Sequence, residues 1–327
     1  MHIVHVSRWR LPVQGYGGVP RVVYWLAKAQ AEQGDRVTIL APPGSSCPGA
    51  NCIAVKVARG QGDYSPYVAS HLPPDADIVH FHHQVSVPPP CPWVITVQGN
   101  SPVELQALPN KIYISRDHAR RGGGTAFVYN GIDPAEFIFR ERKDDYFLFL
   151  SKVSLPKKGV DVALRLAREM GFRLLVAGGT RWSLRRTGGL WNSLVAKVHF
   201  CGEVSGRAKA ELIAGARALI LPIRWEEPFG LVVSEALVSG TAVITAPRGA
   251  MPELVTPEVG FLCDSYDAMK DAIGRVGEVD PHACRRRVLA ELTNQHMASA
   301  YRQHYQAAIA AYSAGGMRPG ASAGESG

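Results

Sequence analysis

Residues 218–245 read ALILPIRWEEPFGLVVSEALVSGTAVIT. Ala218–Pro222 is a short apolar run ended by proline, Gly230–Ser239 carries a helical pattern, and Ala242–Thr245 is a second apolar run. Strand, helix and strand in that order build a parallel sheet. The alternation continues upstream, with strand Tyr146–Leu150, a helix over Val160–Met170, strands Arg173–Ala177 and Lys197–Cys201, and a helix over Ser205–Ala214. The first half opens on strand His2–Val6, a Gly-rich turn, a helix from Pro20 to Gln33 and strand Arg36–Leu40. Pro20 suits that helix's first turn and Gly34 its C-terminal cap. Further strands are expected at Ile53–Val57, Ile78–Phe81, Trp93–Val97, Ile112–Ser115 and Ala126–Tyr129, and one helix from Pro281 to Tyr312.

These patterns predict an α/β protein with two doubly wound domains. Residues 1–138 form the first and 139–312 the second, with the charged stretch Arg140–Asp145 as linker and the last helix free to pack back on the first domain. The small and polar residues 313–327 form a tail that cannot bury a core. Ligands of open parallel sheets sit at the carboxyl ends of strands, so a central cleft between the halves is the expected site.

Composition narrows the function. With 327 residues, 46% hydrophobic and 20% charged, the chain lies far from the disordered regime. No apolar run approaches the ~18–20 residues that cross a bilayer, and MHIVHVSRWRLP has its charges in the wrong order for a secretory signal. The reading is a soluble, cytoplasmic chain without a stable membrane anchor. Cys47, Cys52, Cys91, Cys201, Cys263 and Cys284 form no C-x-x-C pair, which disfavours a disulfide framework or a zinc site. The net charge of +8 is spread over separated clusters, among them Arg120-Arg121, Arg185-Arg186 and Arg285–Arg287. Without one basic stripe interleaved with aromatics, no nucleic-acid partner is expected. Asp75-Ala76-Asp77 precedes strand Ile78–Phe81 and reads as a turn, so no metal is called for.

Gly15-Tyr16-Gly17-Gly18-Val19-Pro20 lies between the first strand and the first helix, where glycines let the backbone approach a ligand and the helix end favours an anion. A dinucleotide fingerprint would place Gly at position 20 and an acid after the second strand; Pro20 and Ala41-Pro42-Pro43 stand there instead, which disfavours an NAD enzyme. In Leu221–Ala236, Glu227 lies on a loop and Glu235 within the first two turns of the following helix. The amides of Gly230, Leu231 and Val232 at that helix start can hold phosphate oxygens. Two acids flanking such an anion can accept hydroxyl hydrogen bonds on either side of it, one for a hexose and one for a ribose. His80, His82 and His83 alternate around a strand end; satisfied structural histidines account for them best, with His82 the one placed to touch a sugar or acceptor.

The 227–235 spacing resembles the E-x7-E signature of retaining glycosyltransferases of family 4 with the GT-B fold. The resemblance covers nearly the whole chain through Gly15–Gly18, Val128–Asp133, Lys157–Val160, Phe200–Val204, Gly240–Ile244 and Pro252-Glu253-Leu254. It implies two Rossmann-like domains facing a central cleft, and a nucleoside-diphosphate sugar, UDP- or TDP-linked, as donor with no cofactor and no metal. It implies catalytic roles for Glu227, Lys152 and Lys158: Glu227 on the donor sugar, the two lysines neutralising the departing diphosphate. Gly17 and Gly18 would face the phosphates, Glu235 the ribose, the backbone of Val204 the base, and Phe229–Val232 would complete the donor site. Lys152 stands where the family usually has Arg, which keeps the charge and loses the bidentate fork. Pro20, Ser151 and Gln98 also depart from the family pattern, on the side facing sugar and acceptor. The compact first domain and the Arg-, Ala-, Gly- and Pro-rich composition resemble actinomycete natural-product transferases, so the expected acceptor is a small molecule, as in tailoring of an orthosomycin-type antibiotic. The rivals are lipid or cell-envelope glycosylation and an epimerase-like enzyme of the same fold. Oligomeric state is not legible.

Overall fold

The structure, a computed structural model, describes residues 1–13, 15, 17–57, 63–100, 108–195 and 197–315. Among the described residues the strands are β1 (His2–Val6), β2 (Arg36–Ala41), β3 (Ala50–Ala54), β4 (Ile78–Phe81), β5 (Trp93–Thr96), β6 (Lys111–Ile112), β7 (Phe147–Leu150), β8 (Leu174–Ala177), β9 (Val198–Gly202), β10 (Ala218–Leu221), β11 (Ala242–Thr245) and β12 (Gly260–Leu262). The α-helices are α1 (Gly18–Glu32), α2 (Val68–His71), α3 (Arg116–Arg121), α4 (Val160–Met170), α5 (Leu190–Val195), α6 (Gly206–Gly215), α7 (Leu231–Val238), α8 (Met251–Leu254), α9 (Tyr266–Arg275), α10 (Pro281–Glu291) and α11 (Asn294–Ser313).

The chain forms two compact units. The first takes Met1–Val13, Gly17–Gly131 and the chain from Asn294 onward; the second is built on Ile132–Thr293. The two sheets, ordered β3-β2-β1-β4-β5-β6 and β12-β11-β10-β7-β8-β9, are parallel throughout. Ranked within its own unit, the second order is 6-5-4-1-2-3, which is the first read backwards. Each is therefore the doubly wound order, whose direction reverses between β1 and β4 and between β7 and β10. Leu148 lies beside Leu219, so β7 and β10 end level at Leu150 and Leu221.

In the first unit, Val4, Val6, Val79, Phe81, Trp93 and Ile95 pack one face of the sheet, and Leu11, Val23, Ala27, Val37 and Ile39 build a second cluster with α1. Gly34, φ +85°, closes α1 with bonds from its N–H to Ala31 O and from Asp35 N–H to Gln30 O, the paired Schellman pattern. Helix α11 packs on α1, and Arg302 joins the amino terminus on the buried Asp35 at 2.7 and 2.9 Å. Asp77 accepts from the His2 N–H and Asp75 from the His2 imidazole, so the D-x-D caps the start of β1.

Several expectations differ from the structure. The helix expected over Pro281–Tyr312 is two helices: Leu292 leaves helical geometry at φ −116°, Thr293 forms a bridge with Ile132, and Ile132 N–H donates to the Leu292 carbonyl at 3.0 Å. The strand expected at Ile53–Val57 runs Ala50–Ala54, set by Val37 pairing with Ala50. Ile112–Ser115 shortens to Lys111–Ile112, since Ser115 turns to cap α3, accepting from His118 N–H; Ala126–Tyr129 forms only an isolated bridge between Phe127 and Tyr113. Arg140–Asp145, expected as linker, is anchored in the second unit: Lys143 Nζ donates to Ala214 O, Ser239 O and Thr241 Oγ1, and Asp144 N–H to Gly215 O. The chain passes between units at Gly131/Ile132, against the boundary expected after residue 138. The tail from residue 316 lies outside the described residues; Ser313, expected to begin it, still ends α11.

Candidate functional site

Glycines without room for a side chain pin the two loops that leave the carboxyl ends of β7 and β10. A Cβ on Gly159, φ +75°, would lie 2.0 Å from the Pro222 carbonyl oxygen, and one on Gly249, φ +58°, 2.3 Å from that of Glu227. The first contact holds the turn Lys157–Gly159 against the end of β10, and the second fixes the backbone that presents Glu227. Ala250 N–H donates to Glu227 O at 2.9 Å, and Gly249 N–H to Glu226 Oε2 at 2.5 Å.

The side chains converge on that support. Glu227 Oε2 accepts from Lys158 Nζ at 2.5 Å and from Trp225 Nε1 at 2.9 Å. The Lys158 and Glu227 side chains are only 15% and 11% exposed, so the pair is poorly screened. Lys157 Nζ stands 3.4 Å from the centre of the Trp225 ring and Lys158 Nζ 4.8 Å, two cations over one indole. Burial and the adjacent Lys158 charge push the Lys157 ammonium below its ordinary value. Arg224 donates to Asp161 at 2.5 Å and its N–H to Lys157 O at 2.8 Å, tying the two loops together again. Lys152, on the β7–α4 loop, is exposed, with no side-chain partner among the described residues.

Gly230, φ +89°, starts α7 in a left-handed conformation, with its Cα turned toward the Met251 methyl; a Cβ would come within 2.5 Å of it. The first amides of α7 have no acceptor inside the helix and concentrate its positive end beside Glu227 and Lys158. Phe229 is buried under the loop, while Leu231 and Val232 are partly exposed. Glu235 is buried on α7, with its carboxylate oxygens 2.5 and 2.6 Å from Lys209 Nζ of α6. Val204 is half-buried on the β9–α6 loop.

Thus Lys158 and Glu227 are in direct contact at the start of α7, and Glu235 is paired one turn further on. Gly17 and Gly18 belong to the first unit, where Gly17 caps α1 and Gly18 is its first residue; Tyr16 lies outside the described residues. Sequence reasoning missed Trp225, Lys209 and Gly249. Trp225 had a signal, standing two residues before the acid, whereas Lys209 lies 26 residues from its partner and had none.

His82 belongs to a buried network in the first unit. Gln30 donates through Nε2 to Tyr305 and accepts at Oε1 from His5 Nε2 at 2.6 Å, which leaves His5 Nδ1 to accept from His82 Nε2 at 3.0 Å. Tyr305 then donates to His80 Nδ1 at 2.7 Å, and His80 Nε2 to Thr96 Oγ1 at 2.6 Å. His82 Nδ1 and the Gln98 amide nitrogen are buried without a partner. Burial pushes the His5 imidazole down to about 4, and burial reinforced by neighbouring imidazoles holds His80 and His82 well below the ordinary value. The three rings bring nitrogens within 4.8 Å of one another, yet both nitrogens of His5 and of His80 are engaged, so the cluster is a structural network.

Residues 132–286 match the family model described as glycosyl transferases group 1. Over 154 residues the chain is 31% identical to a phosphatidyl-myo-inositol mannosyltransferase of Mycobacterium tuberculosis, covering 43% of this chain and 40% of that one. The protein of the same name from Mycobacterium leprae is 27% identical over 316 residues, 79% of this chain and 83% of its own. The chain thus spans about two fifths of the length of the first curated relatives it matches. Among solved structures, AviGT4, a glycosyltransferase involved in avilamycin A biosynthesis, superposes with a TM-score of 0.75 at 26% identity, covering 94% of this chain and 98% of the other. Over residues 132–286 the chain is thus similar to the group 1 glycosyl transferases, and the chain has the GT-B fold.

Proposed function

We propose that the chain is a retaining glycosyltransferase that moves a sugar from a UDP- or TDP-linked donor to a small-molecule acceptor in the making of an antibiotic or other secondary metabolite. The observation that carries this reading is the contact between Lys158 and Glu227 at the amino end of α7, where the strand order of the second unit reverses. A diphosphate there meets helix amides and the ammonium groups of Lys152 and Lys158, and Glu227, oriented by its contact with Lys158, accepts hydrogen bonds from sugar hydroxyls. Glu235 serves the ribose and the Val204 backbone the base. In the reaction the bond from the anomeric carbon to the diphosphate breaks while the acceptor oxygen bonds on the same face. The acceptor proton passes to the leaving diphosphate, and the lysines stabilise its charge without a metal.

Similarity to AviGT4 over nearly the full length of both chains supports the small-molecule acceptor. The curated relatives, phosphatidyl-myo-inositol mannosyltransferases by name, favour a lipid acceptor as second reading.

A thermal-shift series with nucleotides and nucleotide sugars tests the core of the proposal. A ligand at one hundred times its dissociation constant adds about 2.7 kcal/mol, so UDP or TDP is expected to raise Tm and Lys158→Ala to remove the shift. A Tm indifferent to every nucleotide and nucleotide sugar overturns it. NMR of the product's anomeric proton reads retention.

A further inference from the structure

One surface of the second unit is apolar where solvent should favour polar groups. Between β8 and β9, Trp182 and Trp191 are each 70% exposed, Leu194 57% and Leu190 40%. The segment is nevertheless seated: Leu184 and Ser193 are buried, and a Cβ on Gly189 would lie 3.1 Å from Leu164 Cδ1 and 3.2 Å from the Asp161 backbone of α4. Thr180 and Ser183 form a capping box over its first turn, and Ser193 Oγ donates to Leu190 O at 2.6 Å. Leu184, Gly189 and Ser193 therefore seat the segment on the protein while both indoles, Leu190 and Leu194 face outward, the reverse of an ordinary surface helix. Arg185 stacks on Trp182 at 4.7 Å, and residues 180–202 contain Arg181, Arg185, Arg186 and Lys197 with no Asp or Glu.

We infer that this surface, carried by Trp182, Leu190, Trp191 and Leu194, docks reversibly on an anionic lipid bilayer. Indoles favour the headgroup boundary, Leu190 and Leu194 supply aliphatic insertion, and a basic stretch without acids matches negative headgroups. A second copy fits less well, since a two-fold contact would set these arginines against their own equivalents with no carboxylate in the segment to pair them. Single-stranded nucleic acid would use the indoles but not the leucines, which cannot stack on bases. The inference is independent of the proposed transfer reaction.

The test is co-sedimentation of the full chain with vesicles of phosphatidylcholine alone or mixed with phosphatidylglycerol, at low and high ionic strength. Binding is expected only to the mixed vesicles, weakening with salt, with tryptophan fluorescence quenched by brominated lipid. Arg181→Gln and Arg185→Gln are each expected to weaken partitioning about fivefold. Trp182→Ala with Trp191→Ala is expected to abolish both partitioning and quenching, with an unchanged melting curve. No binding to mixed vesicles at low salt, or binding that survives loss of both tryptophans, overturns the inference. So does a dimer, or an oligonucleotide complex, that disappears with the same tryptophans while vesicles leave the protein in solution.

Discussion

At the scale of single residues, the second unit's site is organised around one carboxylate. Glu227 offers Oε2 to an ammonium and an indole N–H together, and its backbone lies against a glycine that no other residue could replace without a clash. Glu227→Ala leaves the Lys158 charge and the Trp225 N–H without their acceptor in a mostly buried place. The expected cost is about 3 kcal/mol in urea unfolding, in the range for a buried pair broken on one side. Glu227→Gln keeps an oxygen for both donors and is expected to cost less than half of that; equal costs would show that the pair is not the source. The acids' spacing was legible because Glu227 and Glu235 flank one helix start. Their partners were not, since Lys158 lies 69 residues from Glu227 and Lys209 lies 26 from Glu235.

At the scale of elements, α1, α11 and strands β1, β4 and β5 are joined through the histidine network. His5 is neutral in both folded and unfolded chains above its ordinary pKa of 6.5, so it contributes nothing to pH dependence there. Below that value the unfolded chain takes up a proton that the folded chain refuses, and stability falls until the folded His5 itself protonates near pH 4. His5 alone is expected to remove about 1.4 kcal/mol by about pH 5.5, and His80 and His82, lowered in the same direction, add to it. The check is Tm against pH, with His5→Gln flattening the acid limb; an acid limb that this change leaves untouched removes His5 from the account. Helix and strand periods were readable from neighbours along the chain. The break at Leu292 was not, because the N–H that takes its carbonyl comes from Ile132.

For the molecule as a whole, one connectivity occurs twice, and the chain returns to its first unit through α11. Met297, Ala298, Tyr301 and Tyr305 are all within 2% of full burial in that unit. A large apolar side chain contributes about 1.5–3 kcal/mol on full burial, so the three largest together rival the ~5–15 kcal/mol that holds an ordinary domain. A chain stopped after Thr293 is expected to leave residues 1–131 open to trypsin and to lose part of its far-ultraviolet dichroism. A trypsin-resistant first unit in that truncation would show that α11 is dispensable.

Alternating strand and helix periods, glycines at the turns and acids eight positions apart are local patterns, carried by residues within a few positions of one another. They suffice to determine two parallel α/β halves and the helix start at Gly230. The tertiary structure alone decided that Lys158 and Trp225 share one carboxylate oxygen, that Lys209 meets Glu235, that Leu292 ends a helix, and that two tryptophans face solvent. Each of these depends on which distant segments the strand order brings side by side, and no periodicity along the chain encodes that.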